Sequence, residues 1–295
     1  DIGIPTITPN CGEKFDPRRT YAPRSLQPRA VLSRGNCASS VPIVDAHFIE
    51  MAAYTQLIKD TDSASEQWPW RAKRRQVRWR GKSTGQQQPA FPLPDPRFMQ
   101  RAALALRGKA ARDAHEAAGG GGDGPALDAG LSGLVQLSPA DERKVAQLGL
   151  VEPGYGQPQM IEARGVIDID GNANSWDGAW WKLRSNSVVL KVESPFAQWY
   201  HGQLEPWVHY VPVAPDLSDL DDRVRWVLDP ANDEKCIAIA AAATRAVSNI
   251  TLEAEVERTG KVLGEIFANR RKSRLRRELD ARLSCVLRRF AVSGG

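Results

Sequence analysis

The sequence predicts an α/β protein built around a parallel sheet of the doubly wound, Rossmann-like type. Short runs rich in Val and Ile recur at 165–170, 187–192 and 208–213, and their length and composition are typical of buried strands. Segments with helical spacing of apolar residues lie between or after these runs. Because strands that alternate with helices form parallel sheets, the second half of the chain indicates such a sheet.

Two helices are predicted directly after the third strand. Ser218 precedes apolar residues at helical spacing over 220–228, and Asn232 precedes the alanine-rich run 233–247. Serine and asparagine are common at helix starts, because their side chains accept hydrogen bonds from the unpaired N–H groups there. These two helices would cover the sheet.

The chain is predicted to have three parts. Residues 1–72 form a partial N-terminal domain, in which 49–58 has helical spacing. Residues 73–268 form the larger α/β domain, interrupted by a Gly-rich surface insertion near 110–149. Residues 269–295 continue an apolar stripe among arginines, which predicts a basic amphipathic C-terminal helix.

Composition and charge exclude some classes of protein. No stretch approaches the roughly 20 apolar residues of a membrane span, and the cysteines lack the spacing of a zinc site. The net charge of +5 is concentrated at 71–82 and 269–289, which leaves nucleic acid or an anionic membrane surface as an alternative partner. Cys11 and Cys37 could form a disulfide in an oxidising compartment or could be buried or free thiols. The chain begins at Asp1 without a leader, so we expect further residues upstream.

A first candidate binding segment follows an apolar run ending at Trp79. Arg80 could meet two phosphate oxygens at once, Gly81 lets backbone N–H groups approach an anion, and the hydroxyls of Ser83 and Thr84 add donors. The spacing differs from that of a P-loop. A solvated basic turn after a strand is the alternative interpretation.

A second candidate segment is the polar turn after the strand 165–170. It contains Asp170, Gly171, Asn172, Ala173 and Ser175. Ligands of doubly wound sheets bind just beyond the carboxyl ends of the strands, so this turn is placed where a nucleotide would lie.

The second segment also includes a pair of carboxylates, Asp168 and Asp170, that could hold a divalent metal. Asp168 belongs to the strand itself, and a structural role is favoured for it. A third segment, 194–220, is rich in aromatic residues that could stack on a base or a sugar. Core packing is the ordinary role of such residues, and His201 and His209 are more often structural than catalytic.

Short motifs rich in aromatic residues, glycine and charged residues follow one another along the chain. They are Gln67-Trp68-Pro69-Trp70, Trp79-Arg80-Gly81 with Ser83-Thr84-Gly85, Asp168-Ile169-Asp170-Gly171-Asn172, Ser187-Val188-Val189-Leu190-Lys191, Trp199-Tyr200, Leu204, Pro206, His209-Tyr210-Val211-Pro212-Val213 and Asp216-Leu217-Ser218-Asp219-Leu220. In this order they resemble glycosyltransferase family 90, which includes the fungal capsule-associated transferases and the Rumi-like protein O-glucosyltransferases. The resemblance is strong over 68–267 apart from the Gly-rich insertion.

The resemblance implies a GT-B-like architecture, in which a donor lies in the cleft between two Rossmann-like domains. It implies inverting transfer of glucose, xylose or a related sugar from a UDP-sugar to a hydroxyl of a glycan or protein, with no metal or other cofactor. It also implies work in the lumen of the endoplasmic reticulum or Golgi, which the sequon Asn249-Ile250-Thr251 would fit. The residues expected to bind the donor are Arg80, Gly81, Ser83, Thr84, Asp170, Gly171, Asn172, Ala173, Ser175 and Lys191.

Inverting transfer needs a carboxylate that deprotonates the acceptor hydroxyl. In family 90 this aspartate lies in an N-terminal Asp-x-Pro-like segment, and Asp1 in Asp1-Ile2-Gly3-Ile4-Pro5 is the comparable residue. A terminal aspartate in solvent is the alternative interpretation.

Two departures from the family leave other functions open. Relatives carry an arginine shortly after the serine of the second turn, whereas the next cation here is Lys182. The first domain is also shorter than expected. A noncatalytic degenerate transferase fragment and a basic protein that binds nucleic acid or a membrane surface are therefore the alternatives. We expect no nucleic-acid partner, because the C-terminal basic residues alternate with Glu278 and Asp280 as on a solvated helix face.

Overall fold

The computed structural model describes residues 29–31, 33–34, 40–85, 99–172, 174–175, 177–194 and 196–268. The strands are β1 (Arg29–Val31), β2 (Ser33–Arg34), β3 (Ser40–Pro42), β4 (Arg74–Lys82), β5 (Leu127–Gly133), β6 (Ala163–Asp168), β7 (Val188–Val192), β8 (Ala197–Gln198) and β9 (Val211–Val213). The helices are α1 (Ala46–Glu50), α2 (Thr55–Gln67), α3 (Gln100–Ala117), α4 (Pro139–Gln147), α5 (Gln157–Ile161), α6 (Gly178–Arg184), α7 (Leu220–Leu228), α8 (Asp233–Ser248) and α9 (252–268).

Five strands form one parallel sheet in the order β5-β4-β6-β7-β9. From β4 the chain passes to β5 on one side, and it then returns to form β6 on the other side of β4. The predicted α/β class and parallel sheet are confirmed. The reversal of direction lies between β4 and β6, which makes this the topological switch point of the sheet.

Both faces of the sheet are covered, which explains the continuous apolar runs of β6 and β7. Ile167 and Leu190 point into a core shared with α3 and α7, whereas Val166 and Val189 point into a second core shared with α6 and α8. Successive side chains of a strand point to opposite faces, so a strand between two helix layers needs apolar residues at every position.

The second core is rich in aromatic side chains. Phe48 and Tyr54 from the N-terminal part of the chain pack against Trp180 of α6 and Trp199, with ring centroids 4.9 to 5.7 Å apart. The carboxylate of Asp45 accepts hydrogen bonds from the backbone N–H of Phe48 and from the indole N–H of Trp199. Thus α1, although it lies within the predicted N-terminal domain, shares a core with the sheet.

The single helix predicted over 49–58 is interrupted. Ala52, Ala53 and Tyr54 have φ values of 46°, 57° and 58°, and this left-handed stretch separates α1 from α2. Left-handed backbone is unfavourable for residues with a β-carbon. Burial of the Tyr54 ring in the aromatic core offsets this cost.

The predicted surface insertion near 110–149 is wrong over most of its length. It contains the end of α3, the whole of β5 and α4, and Leu127, Ala129 and Leu131 of β5 are buried. Within this region, residues 118–124 between α3 and β5 form a mostly exposed glycine-rich loop.

The two outer strands of the sheet are shielded in different ways. Beside β5, Leu131 donates its N–H to the carbonyl of Leu150 and accepts from the N–H of Glu152. At the other side, β9 contains Pro212, which has no N–H to donate. Both features limit the free hydrogen-bonding groups along the sheet edges.

The helices predicted at 220–228 and 233–247 are confirmed as α7 and α8. Asn232 does precede α8, but its side chain makes no capping hydrogen bond. Across the described part of the chain, no helix has the length and apolar character needed to cross a bilayer. The predicted C-terminal helix over 269–295 and the cysteine pair Cys11 and Cys37 lie outside the described residues.

Candidate functional site

Two turns meet at the switch point of the sheet. The first turn comprises residues 83–85 after β4, and the second comprises the described residues 169–172, 174 and 175 after β6. Because β4 and β6 are parallel neighbours, their carboxyl ends lie at the same edge. This is the location at which open α/β sheets bind their ligands.

The two turns are in direct contact. The backbone N–H of Gly85 donates a 3.1 Å hydrogen bond to Oδ1 of Asn172. A β-carbon at Gly171 would lie 2.5 Å from Oγ1 of Thr84, and Gly85 has a φ of +91°. Glycine at these two positions therefore permits the close approach and the backbone conformation that the contact requires.

An arginine that was not among the predicted site residues joins the two turns. Arg101, in the first turn of α3, donates to the carbonyl of Lys82 at 3.0 Å and to Oγ1 of Thr84 at 2.7 Å. It also donates to the carbonyls of Ile169 at 2.9 Å and Asp170 at 3.0 Å. The one signal for Arg101 in the sequence is an arginine near the start of the helix that follows β4.

A buried cluster of charged residues lies beneath the second turn. Asp168 accepts from Nζ of Lys182 at 2.9 Å, from Nζ of Lys191 at 3.3 Å and from the hydroxyl of Ser175 at 3.1 Å. Burial alone would raise the pKa of Asp168, but the two lysines outweigh burial and hold this pKa below its usual range. Asp168 is thus an ionised structural carboxylate, in agreement with its place in the strand pattern of the sequence.

The neighbouring carboxylate of Asp170 is also held by protein groups. Nδ2 of Asn174 lies 3.0 and 3.1 Å from its two oxygens, and the hydroxyl of Ser194 donates to it. Burial raises the pKa of Asp170. For Lys191, burial would lower the pKa, but the attraction of Asp168 raises it, so this lysine is a cation near neutral pH.

Arg80 does not lie where the donor-binding prediction requires. Its guanidinium donates to Oδ1 of Asp128 at 2.7 Å and to the carbonyls of Asp128, Trp79 and Pro153 at 3.0 to 3.1 Å. The ring of Tyr155 lies 4.2 Å from it. The Arg80 side chain is only 5% exposed, and its donors are used by Asp128 of β5 and by nearby carbonyls. The predicted role of Arg80 in donor binding is therefore corrected to a structural role.

Two other residues of the first segment are occupied structurally. The buried hydroxyl of Ser83 donates to the carbonyl of Val135 and accepts from the N–H of the same residue, both at 2.8 Å. A β-carbon at Gly81 would lie 2.7 Å from the Trp79 ring. Of the predicted donor-binding residues, the structure brings together Thr84, Asp170, Gly171, Asn172, Ser175 and Lys191.

The second turn and the strands around it match a known family. Residues 155–258 match the model of Glycosyl transferase family 90. The predicted resemblance to family 90 is confirmed. The matched segment begins before β6 and ends within α9, so it includes the second turn, Lys182, Lys191 and the aromatic segment.

Three relatives show how far the similarity extends. Protein O-glucosyltransferase 3 of Rattus norvegicus is 32% identical over 114 residues, which are 39% of this chain and 21% of that protein. Protein O-glucosyltransferase 2 of Danio rerio is 36% identical over 74 residues, 25% of this chain and 15% of that protein. Uncharacterized protein 035R of Invertebrate iridescent virus 3 is 39% identical over 84 residues, 28% of this chain and 7% of that protein. The chain thus spans 7 to 21% of these relatives' lengths.

The family 90 match does not include the first turn or Arg101. Their connection to the family 90 segment comes from the fold, because hydrogen bonds from Gly85 and Arg101 attach them to the second turn. The candidate site is therefore formed jointly by the matched segment and by the chain before it.

The aromatic residues of the family 90 segment act mainly in packing. Trp199 and Tyr200 lie in the second core. Burial lowers the pKa of His201 to about 3, so its imidazole is neutral at physiological pH. A neutral imidazole with this pKa does not form an ion pair and is a weak proton acceptor. Nδ1 of His209 accepts from the backbone N–H of Glu205 and holds a loop.

Several arginines of the basic run 71–82 are paired with acids. Arg74 and Arg78 both contact the carboxylate of Glu162, and Arg80 contacts Asp128. This neutralisation weakens the interpretation of the run as a nucleic-acid or membrane surface. The basic run at 269–289 lies outside the described residues.

Two residues of the predicted site, Ala173 and the candidate base Asp1, also lie outside the described residues. Within the described ranges, no group of three or more His, Cys, Asp or Glu side chains is placed to hold a metal ion.

Proposed function

We propose that this chain contains the donor-binding part of a glycosyltransferase, which transfers glucose, xylose or a related sugar from a UDP-sugar to a hydroxyl of a glycan or protein. The contact between the turns after β4 and β6 at the topological switch point supports this proposal most strongly. The family match over 155–258 supports glycosyl transfer as the class of reaction.

The diphosphate of the donor would lie against the two turns. Backbone N–H groups are donors of the kind that bind phosphate oxygens, and so is the hydroxyl of Thr84, which accepts from Arg101 and keeps its own proton for another partner. Three cations, Arg101, Lys182 and Lys191, adjoin two carboxylates, Asp168 and Asp170. The cations exceed the ionised carboxylates by at least one charge, which favours an anionic ligand and a departing diphosphate.

The proposed reaction is a displacement at the anomeric carbon of the sugar. The acceptor oxygen forms a bond to this carbon while the bond to the UDP oxygen breaks, and the configuration inverts. The acceptor proton passes to a carboxylate, for which Asp1 remains the candidate. UDP leaves with the electron pair of the broken bond and is stabilised by the cations.

The proposal includes no metal ion. Asp168 is engaged by two lysines and Asp170 by Asn174 and Ser194, so the carboxylates of this pair already have protein partners. In such a site the lysines and the turn donors would take the place of a metal in balancing the diphosphate charge.

The names of the relatives support a narrower version of this proposal. Two of them are protein O-glucosyltransferases, which favours glucose as the sugar and a protein hydroxyl as the acceptor. We extend the proposal to a GT-B-like arrangement with a second domain, and to the lumen of the endoplasmic reticulum or Golgi as the site of action.

Calorimetric titration with UDP, followed by mass-spectrometric detection of transfer from UDP-glucose and UDP-xylose, tests this function. UDP should bind more tightly than GDP or AMP, and Lys191→Met should weaken UDP binding about tenfold or more. Lys59→Met, which removes an exposed lysine of α2, is the matched control and should bind UDP normally.

The alternatives give different results in the same experiments. UDP binding without transfer would indicate the noncatalytic fragment. Binding of RNA or anionic vesicles in the absence of any UDP binding would refute the transferase proposal.

A further inference from the structure

We propose that Arg101 is a positioning residue that fixes the distance between the two turns of the candidate site, and that diphosphate binding depends on this distance. The second half of the inference rests on the proposed function. The first half concerns the geometry of the free protein and can be tested without a ligand.

The contacts of Arg101 are distributed over two separate turns. It bonds Lys82 and Thr84 at the end of β4, and Ile169 and Asp170 at the end of β6. Three of the four acceptors are backbone carbonyls, so the bonds constrain the main chain itself. A single planar guanidinium thus sets the relative position of two peptide segments that are far apart in the sequence. The first turn lies 17 to 19 residues before Arg101, and the second lies 68 to 69 residues after it.

This use of arginine depends on its shape as well as on its charge. The guanidinium offers five N–H donors in a rigid plane, whereas a lysine ammonium is a compact charge on a flexible stem. None of the contacts that the structure describes for Arg101 is an ion pair with a carboxylate. Its role in the fold is therefore hydrogen bonding between the turns.

The packing around Gly171 shows that the junction has little spare room. A β-carbon at Gly171 would lie 3.1 Å from Nη2 of Arg101 as well as 2.5 Å from Oγ1 of Thr84. The Arg101 plane, Thr84 and the Gly171 backbone are in close contact. A side chain that moves out of this junction would allow the turns to separate.

The partly buried position of Arg101 supports the same inference. Burial lowers the pKa of Arg101, and the attraction of Asp170 and Asp168 opposes this effect. The residue stays charged, because an arginine pKa begins far above neutral pH. Arg101 therefore adds a fixed positive charge behind the turns while it holds them.

Hydrogen–deuterium exchange of the ligand-free chain tests the positioning role. In Arg101→Gln and Arg101→Lys, the amides of 83–85 and 169–172 should exchange about tenfold or more faster than in the wild type. Arg107→Gln is the matched control, because Arg107 lies on the same helix and pairs at the surface with Asp221. Exchange at both turns should be unchanged in this control.

Titration with UDP then tests the consequence for binding. Both Arg101 variants should raise the UDP dissociation constant about tenfold or more, and lysine should fail to restore affinity although it keeps the charge. Circular dichroism and the melting temperature show whether each variant is folded, and Arg101→Lys serves as the folded comparison should Arg101→Gln unfold.

Two results would overturn the inference. Exchange at the turns that is equal in Arg101→Lys, Arg101→Gln and Arg107→Gln would remove the positioning role. Full UDP affinity in Arg101→Lys would show that UDP binding requires only the positive charge at this position and not the geometry of the guanidinium. A wild-type chain that binds no UDP would instead refute the proposed function, while the exchange data would still decide the role of Arg101 in the turns.

Discussion

The guanidinium of Arg80 and the carboxylate of Asp128 form a 2.7 Å ion pair in which the two side chains are 5% and 7% exposed. Tyr155 completes the arrangement, since its hydroxyl donates to the same carboxylate at 2.8 Å. Arg112 lies farther from Asp128, at 3.5 Å. Removal of Arg80 would leave Asp128 buried without its nearest cation.

We predict that Arg80→Ala lowers the free energy of unfolding by about 3 kcal/mol, because loss of one member of a buried pair leaves the other charge uncompensated. Urea denaturation measures this change. The folded fraction should keep its UDP affinity. Arg143→Ala, at an exposed position of α4, should alter stability by less than about 0.5 kcal/mol. If Arg80→Ala kept its stability but lost UDP binding, Arg80 would be a donor-binding residue and not a structural one.

A methyl group at Gly171 should disrupt the junction of the two turns. Gly171→Ala would place its β-carbon against Thr84 and Arg101, and we expect a loss of about 1–3 kcal/mol in stability from this overpacking. UDP binding should weaken in parallel. In Gly260→Ala the new methyl group meets no atom within 4 Å, and alanine should stabilise α9 by about 0.5–1 kcal/mol. Equal melting temperatures for the two variants would contradict the tight junction.

Lys73 should make stability depend on pH. It is 3% exposed and donates to the carbonyls of Ile161 and Ser185, and burial lowers its pKa from 10.5 to about 7. Between these values the unfolded chain holds a proton that the folded protein has released, so stability rises with pH in this window. Below pH 7 both states hold the proton and the penalty is constant.

The difference in unfolding free energy between wild type and Lys73→Met isolates this effect. The wild type should gain up to about 1.4 kcal/mol per pH unit relative to the variant above neutral pH. Urea titrations at several pH values from about 6 to about 9 measure the slope. Lys59→Met, which removes an exposed lysine, is the control for the effect of losing a lysine charge on the unfolding free energy. A difference that does not change with pH would show that Lys73 remains charged in the folded protein.

Asp1 is the remaining candidate for the base. Asp1→Asn should reduce turnover by about 10²- to 10⁴-fold and leave UDP affinity unchanged, because the proton acceptor acts on the acceptor hydroxyl and not on the nucleotide. Transfer assays and calorimetry on the same preparation measure the two quantities. Asp16→Asn, another aspartate of the same N-terminal segment, is the control. Full turnover in Asp1→Asn would show that a residue other than Asp1 is the base.

The sequence predicted the parts of the fold that depend on local composition. The β6 and β7 strands are rich in Val and Ile, and they were predicted within a few residues of their bounds. The β5 strand was missed because Leu127-Asp128-Ala129-Gly130-Leu131-Ser132-Gly133 has no β-branched residue and follows a glycine run. Pairing with β4 gives this segment its strand conformation.

The candidate site was predictable to a similar extent. The turn after β6 was identified because its polar residues follow a clear strand directly. Arg80 was misassigned because its partner Asp128 is 48 residues away, and sequence spacing gives no sign of such a pair. Arg101 was missed for the converse reason, since its acceptors are mostly backbone carbonyls that have no residue-type signature.

The shielding of β5 and β9 has a consequence for how this chain can associate with other molecules. An extended peptide that tried to add a sixth strand would find the N–H and carbonyl of Leu131 already engaged at one border, and would meet Pro212 at the other. Recognition by strand addition is therefore disfavoured along these described borders. The proposed function therefore predicts that a protein acceptor is recognised by its side chains, near the carboxyl ends of the strands.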